Sequence, residues 1–226
     1  MPKHATRYID EFAGKQLLAS YGVTVPAELV AASPAAAAAA AASMGFPVVV
    51  KVISKDVAHK TEAGGVRLNL GSPAEVHIAA EEILRSVRAH HPTAEIEGLL
   101  VAEQVEIEHE LFVGMVRDAQ FGPVIAFGLG GIFVEVLKDV AFGITPLERI
   151  DALEMIREIR GHAVIAGARG RRPVDEGRLA DTLLAVARLA TEHPEIAELD
   201  INPLAATADG RLVALDCLLQ VTAAGQ

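Results

Sequence analysis

The chain has 226 residues, half of them apolar, a formal net charge of −10 and one cysteine, Cys217. The acidic balance argues against sequence-independent nucleic-acid binding, and a single thiol excludes an intrachain disulfide and fits a reducing, cytoplasmic setting. Residues 1–12 lack the apolar segment of a secretory signal, no run reaches the ~18 apolar residues of a membrane span, and an aliphatic, tryptophan-free composition fits α/β layers better than an all-β sandwich.

The first expected element is an amphipathic helix over residues 7–20, with Ile9, Phe12, Leu17 and Leu18 on its broad apolar face and Gly22 as its C-cap. Val23–Val25 reads as a short strand stopped by Pro26, and a second strand is expected near Glu28. Ser33-Pro34 then has the form of a helix start, serine capping and proline at the first helical position. The alanines at 35–42 carry that helix to Met44-Gly45.

The stretch FPVVVKVISKDVAHKTEAGGV, residues 46–66, is the most informative. Val48, Val49, Val50, Val52 and Ile53 form a strand without polar alternation, as expected of one buried on both faces. Lys51 interrupts it, and a buried ammonium needs an anion unless it escapes at a strand edge. The polar segment that follows holds His59 and Lys60 and ends in Gly64-Gly65. Two glycines allow close backbone approach and inward N–H groups, which suits phosphate, although hairpin turns use the same dipeptide.

Val66–Leu70 alternates as a strand, and Ser72-Pro73 opens a helix running to about His90. Leu99–Ala102 and Glu110–Arg117 read as strands joined by an acidic hairpin link. Glu103 and Glu110 stand at strand ends, where a site could use them. Strand Val124–Phe127 runs into Gly128-Leu129-Gly130-Gly131, which matches neither the dinucleotide-binding nor the P-loop pattern. A helix is expected from Glu148 to about Arg160, then a basic loop, Arg169 to Arg172, open to solvent or to an anion. A further helix spans Asp175–His193. The last strands, Ile196–Ile201 and Leu212–Leu215, join across Ala208-Asp209-Gly210. Asp200, Asn202 and Asp216 punctuate them with oxygen ligands of the kind Mg²⁺ takes beside nucleotide phosphates, and spacing alone leaves that reading open. Strands and helices interleave without an internal repeat or long linker, so the class is α/β or α+β.

Three segments, FPVVVKVISKDVAHKTEAGGVRLNL, FVGMVRDAQFGPVIAFGLGGIFVEVLKDVAF and ELDINPL, resemble the β subunit, or β-type ATP-grasp domain, of the NDP-forming acyl-CoA synthetases, the acetate–CoA ligases (ADP-forming). The likeness extends over nearly the whole chain. It implies an ATP-grasp fold of two lobes gripping ADP or ATP, here one domain over residues 1–226 with approximate lobes 22–98 and 99–226 and the 7–20 helix packed on the second lobe. By the same likeness Lys51, with Lys60 and the Gly64-Gly65 turn, serves the nucleotide phosphates. Residues 102–105, including Glu103 and Val105, form the hinge that reads adenine, and Glu110 is an acid on the ribose or phosphate side. Asn202 and Asp216, beside Asp200, hold Mg²⁺. His59 matches a histidine that takes the phosphoryl group from a phosphohistidine on a CoA-binding α subunit, the expected partner in a heterotetramer. The reaction implied is acyl-CoA + ADP + phosphate ⇌ acid + ATP + CoA, with no part for nucleic acid or membrane. Gly143 departs from the family pattern, which commonly has arginine there. A non-catalytic regulatory ATP-grasp module and a free-standing carboxylate–amine ligase are the alternatives.

Overall fold

The computed structural model describes residues 6–57, 60–131 and 138–222. In chain order these form β1 (Thr6–Ile9), α1 (Glu11–Ser20), β2 (Glu28–Ala31), α2 (Pro34–Met44), β3 (Val48–Ile53), β4 (Val66–Leu70), α3 (Pro73–His90), β5 (Gly98–Glu103) and β6 (His109–Asp118). There follow β7 (Gly122–Leu129), β8 (Val140–Ile144), α4 (Arg149–Glu158), α5 (His162–Ile165), α6 (Glu176–Glu192), β9 (Ile196–Ala206), β10 (Leu212–Ala214) and β11 (Leu218–Thr222). Among the described residues no helix is long and apolar enough to cross a membrane.

Contacts divide the chain into two units, Pro26–Val105 and Met1–Val25 with Glu106–Gln226. The smaller unit is a four-stranded sheet in the order β2-β5-β3-β4, all pairs antiparallel. Its helices start where the serine–proline pairs place them. Ser33 and Ser72 accept hydrogen bonds from the backbone N–H of Ala36 and Glu75, with proline at the next position, where no N–H is needed. Ala37 and Ala41, one turn apart, are fully buried in a core with Val76, Ala80 and Ile83 of α3 and Val48, Val50 and Val52 of β3. Small side chains on α2 let the two helices lie close over the sheet. All six residues of β3 are buried, so the continuous apolar run does mark burial of both faces, here in an antiparallel rather than a parallel sheet.

The larger unit holds a seven-stranded sheet in the order β1-β11-β9-β6-β7-β8, with β10 also on β9, again antiparallel. Its core sets Leu111, Val113, Ile125, Phe127, Leu199 and Ile201 of the sheet against α4 and α6. α6 carries Asp175 as its N-cap, accepting from the N–H groups of Gly177 and Arg178.

Several expectations need correction. Residues 6–9 are a strand rather than the start of a helix, because Thr6 to Ile9 pair with Thr222 to Leu219, and Asp10 caps the helix that begins after them. The acidic link at 104–108 does not close a hairpin: β5 pairs with β2 and β3, and β6 with β7 and β9. The contact division falls after Val25 and after Val105, beside the approximate lobe bounds of 22 and 98. Val23–Val25 is not a strand, and β8 and β11 join the sheet where no strand was expected.

Candidate functional site

In the smaller unit, Lys51 lies mid-strand in β3, with Val66 of β4 and Leu100 of β5 as its register neighbours. It is 9% exposed. Val48, Val50 and Val52 turn to the helical core, so strand alternation sets Val49, Lys51 and Ile53 on the opposite face. Glu103 ends β5, its N–H bonded to the Ala27 carbonyl, and Gln104 N–H donates to Pro47 O. Val105 is buried and is the last residue of the unit, so the segment expected to read adenine is where the chain passes from one unit to the other.

The glycine turn differs from expectation. Gly65 N–H donates to the Lys60 carbonyl at 2.7 Å and Gly64 N–H to Thr61 O at 3.0 Å. These amides close the turn on itself instead of facing a phosphate. Glycine is needed for space and backbone. Gly64 has φ +66°, and a Cβ there would lie 2.4 Å from Ser86 Oγ. One on Gly65 would lie 2.8 Å from Val52 Cγ1. Lys60 begins this turn, and His59 lies outside the described residues.

In the larger unit the register brings Asp200, Asn202 and Asp216 together. Asp200 and Asn202 are two apart on β9 and share a face. β10 and β11 run along β9 in one common register, Ala214 opposite Leu204 and Leu218 opposite Asp200. The break between them, 215–217, therefore sets Asp216 opposite Asn202. Leu215 N–H donates to Pro203 O at 3.1 Å across this break, and Cys217 N–H donates to Asp216 Oδ1 at 2.9 Å. Burial first, then the negative Asp216 and Glu198, push the Asp200 carboxyl up to about 6. One source of that burial is visible in the sheet. Gly114 of β6 is opposite Asp200, and the Phe112 ring lies over Gly114. Cys217 is no candidate nucleophile: burial above all, then the charges of Asp216 and Glu11, push its thiol up to about 12.

Whether these residues suit a metal can be tested on Asp200. Its Oδ1 is buried and has no hydrogen-bond partner among the described residues. A buried carboxylate oxygen facing further negative charge is what a hard cation satisfies. Among the described residues there is no cluster of three or more His, Cys, Asp or Glu side chains able to hold a metal. Mg²⁺ does not require one, since beside phosphates it keeps several waters and uses one or two carboxylates. Asp200, Asn202 and Asp216 thus fit Mg²⁺.

Glu110, on β6, borders a cleft of about 440 Å³ with His109, Gly130, Gly131, Val164 and Arg171. Its carbonyl accepts from Gly130 N–H, and its carboxylate fills the space that a side chain on Gly131 would take. The glycines after β7 thus admit β6 and Glu110. His109 is buried at the cleft wall. Its Nε2–H donates to the Arg172 carbonyl, and its Nδ1 has no hydrogen-bond partner among the described residues. The sequence reading passed over this residue. Arg171 and Arg172 donate to the carbonyls of Glu108 and Ala208, so these two guanidinium groups of the basic loop clamp backbone. At Gly143 a Cβ would lie 2.5 Å from Met155 Sδ and 2.7 Å from Leu147 Cδ2, so a side chain there requires the Met155 and Leu147 side chains to move.

A family model described as the ATP-grasp domain matches residues 2–221, and the chain belongs to that family. The β subunit of acetate–CoA ligase (ADP-forming) I from Pyrococcus furiosus is 43% identical over 210 residues, 93% of this chain and 90% of that one. The corresponding single-chain ligase I of Archaeoglobus fulgidus is 46% identical over 191 residues, 84% of this chain and 28% of that one. A structure of the dinucleotide-forming acetyl-coenzyme A synthetase 1 of Ca. Korarchaeum cryptofilum, with coenzyme A, Ca-AMPCP and HgCl⁺, superposes with a TM-score of 0.93 at 40% identity, covering 95% of this chain and 93% of that one. Another, with coenzyme A and Mg-AMPPCP and its phosphohistidine segment pointing towards the nucleotide-binding site, gives 0.82 at 36% identity over the same shares. Within the ATP-grasp family the chain is of the β-subunit type of the ADP-forming acyl-CoA synthetases.

Proposed function

We propose that the chain binds Mg-ADP or Mg-ATP and moves a phosphoryl group between a histidine on a CoA-binding partner subunit and ADP. The observation that carries this reading is the strand register that gathers Asp200, Asn202 and Asp216 around an unsatisfied carboxylate oxygen. Phosphoryl transfer asks a protein mainly for positioning and charge neutralisation. Mg²⁺ at Asn202 and Asp216, with Asp200 beside them, would supply the divalent charge for the phosphate oxygens. Lys51 supplies a cation for the nucleotide phosphates, with Lys60 near the glycine turn. Glu103 and Val105 serve the base, and Glu110 accepts hydrogen bonds on the ribose or phosphate side.

His59 is assigned the relay on the strength of the family resemblance. The P–N bond to the partner's histidine breaks as a P–N bond to the His59 imidazole forms. That second bond then breaks as a P–O bond to the terminal phosphate of ADP forms. A neutral imidazole is competent for this near pH 7, its ordinary pKa being about 6.5. The α-type partner, in a heterotetramer with this chain, binds CoA and forms the acyl phosphate. The setting is cytoplasmic, and neither nucleic acid nor membrane takes part.

Calorimetry with ADP and ATP, with and without Mg²⁺, tests the reading. Metal-dependent binding is expected, weakened by Asp216→Asn. No binding up to millimolar nucleotide refutes it and leaves a non-catalytic module. His59→Ala should keep nucleotide affinity while rapid-quench transfer from phosphorylated partner to ADP collapses, because a group used only in transfer lowers rate without ground-state loss. ATP formation at the parent rate would remove His59 from the relay.

A further inference from the structure

The sequence reading assigned nothing to Glu11 and Lys15, yet Lys15 is 0% exposed and its Nζ donates to Glu11 Oε1 at 2.6 Å, a buried ion pair one helical turn long. Such a pair is not explained by stability, since apolar residues of similar volume do as well or better at buried positions. Its location suggests another use. Lys15 Nζ also makes a long hydrogen bond, 3.4 Å, to the Leu215 carbonyl, two hundred residues on. Gly14 of the same helix packs on Cys217, where an added Cβ would lie 3.1 Å from Sγ. α1 therefore touches residues 215 and 217, on either side of Asp216.

We propose that the buried Glu11–Lys15 pair positions the cation site, holding the break between β10 and β11 so that Asp216 stays opposite Asn202. The proposal rests on the reading of Asp200, Asn202 and Asp216 as cation ligands. In a regular strand the Leu215 carbonyl would be paired within the sheet. At the break this part-buried carbonyl draws on donors outside the strand ladder. The Lys15 ammonium is that donor on the side facing α1, while the Leu215 N–H is held by Pro203. Glu11 offsets the charge the ammonium brings. Asp216 then projects from a peptide fixed at both ends, its Oδ1 oriented by the N–H of Cys217.

Charge and position predict opposite signs. Removing a lysine near a cation site tightens cation binding if only Coulomb repulsion matters. If position matters, binding weakens. In Glu11→Gln/Lys15→Met both charges leave together at nearly constant volume, so their Coulomb effects cancel to first order and only position remains. The probe is Mn²⁺, followed by electron paramagnetic resonance in the presence of ADP, with thermal melting and metal-free ADP binding measured alongside. The double variant should bind metal-free ADP like the parent and Mn²⁺ about tenfold more weakly or worse, a loss of about 1.4 kcal/mol. Glu11→Gln alone keeps the ammonium and its bond to Leu215, and should stay within about threefold of the parent, under ~1 kcal/mol. Gly14→Ala leaves both charges and favours the helix but presses on Cys217, and should weaken Mn²⁺ by about threefold or more. It carries the test should the double variant fail to fold. Parent Mn²⁺ affinity in the double variant, or in Gly14→Ala if that alone folds, overturns the proposal. Asp216→Asn separates the two levels: if it too binds Mn²⁺ like the parent, the cation-site reading has failed.

Discussion

Lys51 and Lys15 are both buried, one in each unit, and the fold accommodates them by different means. Lys15 has its counter-charge one turn away on the same helix, at 2.6 Å from Glu11. Lys51 stands in a strand of valines, with Val66 and Leu100 beside it in the register. The first is an ion pair within one helical turn. The second lies mid-strand between apolar register neighbours, and its proposed use is toward an anionic ligand. Burial alone does not tell the use of a lysine; the two differ in what stands one turn or one strand away.

The comparison can be broken most sharply at Lys15. Lys15→Met alone takes the cation from the buried Glu11 carboxylate and should cost about 3–5 kcal/mol in urea unfolding, much more than the neutral double variant. Equal losses in the two would show that charge pairing contributes nothing there. Lys51→Met should weaken ADP about 10- to 100-fold, the loss of one charged hydrogen bond of ~1.5–3 kcal/mol. An unaltered ADP titration would make Lys51 a packing residue. Gly64→Ala sets a side chain at φ +66° against Ser86 and should destabilise by ~1–2 kcal/mol, read as a shifted urea midpoint. If the midpoint does not move, the turn is not held as tightly as its hydrogen bonds indicate. The smallest effect belongs to Ser33→Ala, which removes the α2 cap at a cost of ~1 kcal/mol. It should leave Mg²⁺-dependent ADP binding unchanged, and altered binding would tie α2 to the site.

Local chemistry made part of this legible in the sequence. Ser33-Pro34, Ser72-Pro73 and Asp175 mark helix starts because cap and first turn are neighbours in the chain. The buried β3 and its lysine follow from composition. Asp200, Asn202 and Asp216 are visible as residues, but their assembly is a matter of register, and register depends on β10 and β11 sharing one alignment across a break. What escaped was nonlocal. β1 passes for helix because only β11, at the far end of the chain, makes it a strand. The link at 104–108 looks like a hairpin because its flanking strands are neighbours in sequence but belong to different sheets. Glu11 and Lys15 carry a signal that was available, an acid and a base at i and i+4, but that spacing is ordinary on solvated helices and does not announce burial.

The pairing of β1 with β11 also sets an order of assembly. Residues 26–105 are contiguous, and every strand of their sheet is at hand once β5 has been synthesised. The larger unit is split, and its first strand and helix have no sheet to join until β11 leaves the ribosome. Domains generally fold as units during synthesis, and long-range pairing is slow. The lysine strand is therefore housed early, while α1 waits in water with Lys15 and Glu11 hydrated. Their dehydration comes as Leu215 arrives, so the end of the larger unit that carries Asp216 is completed last.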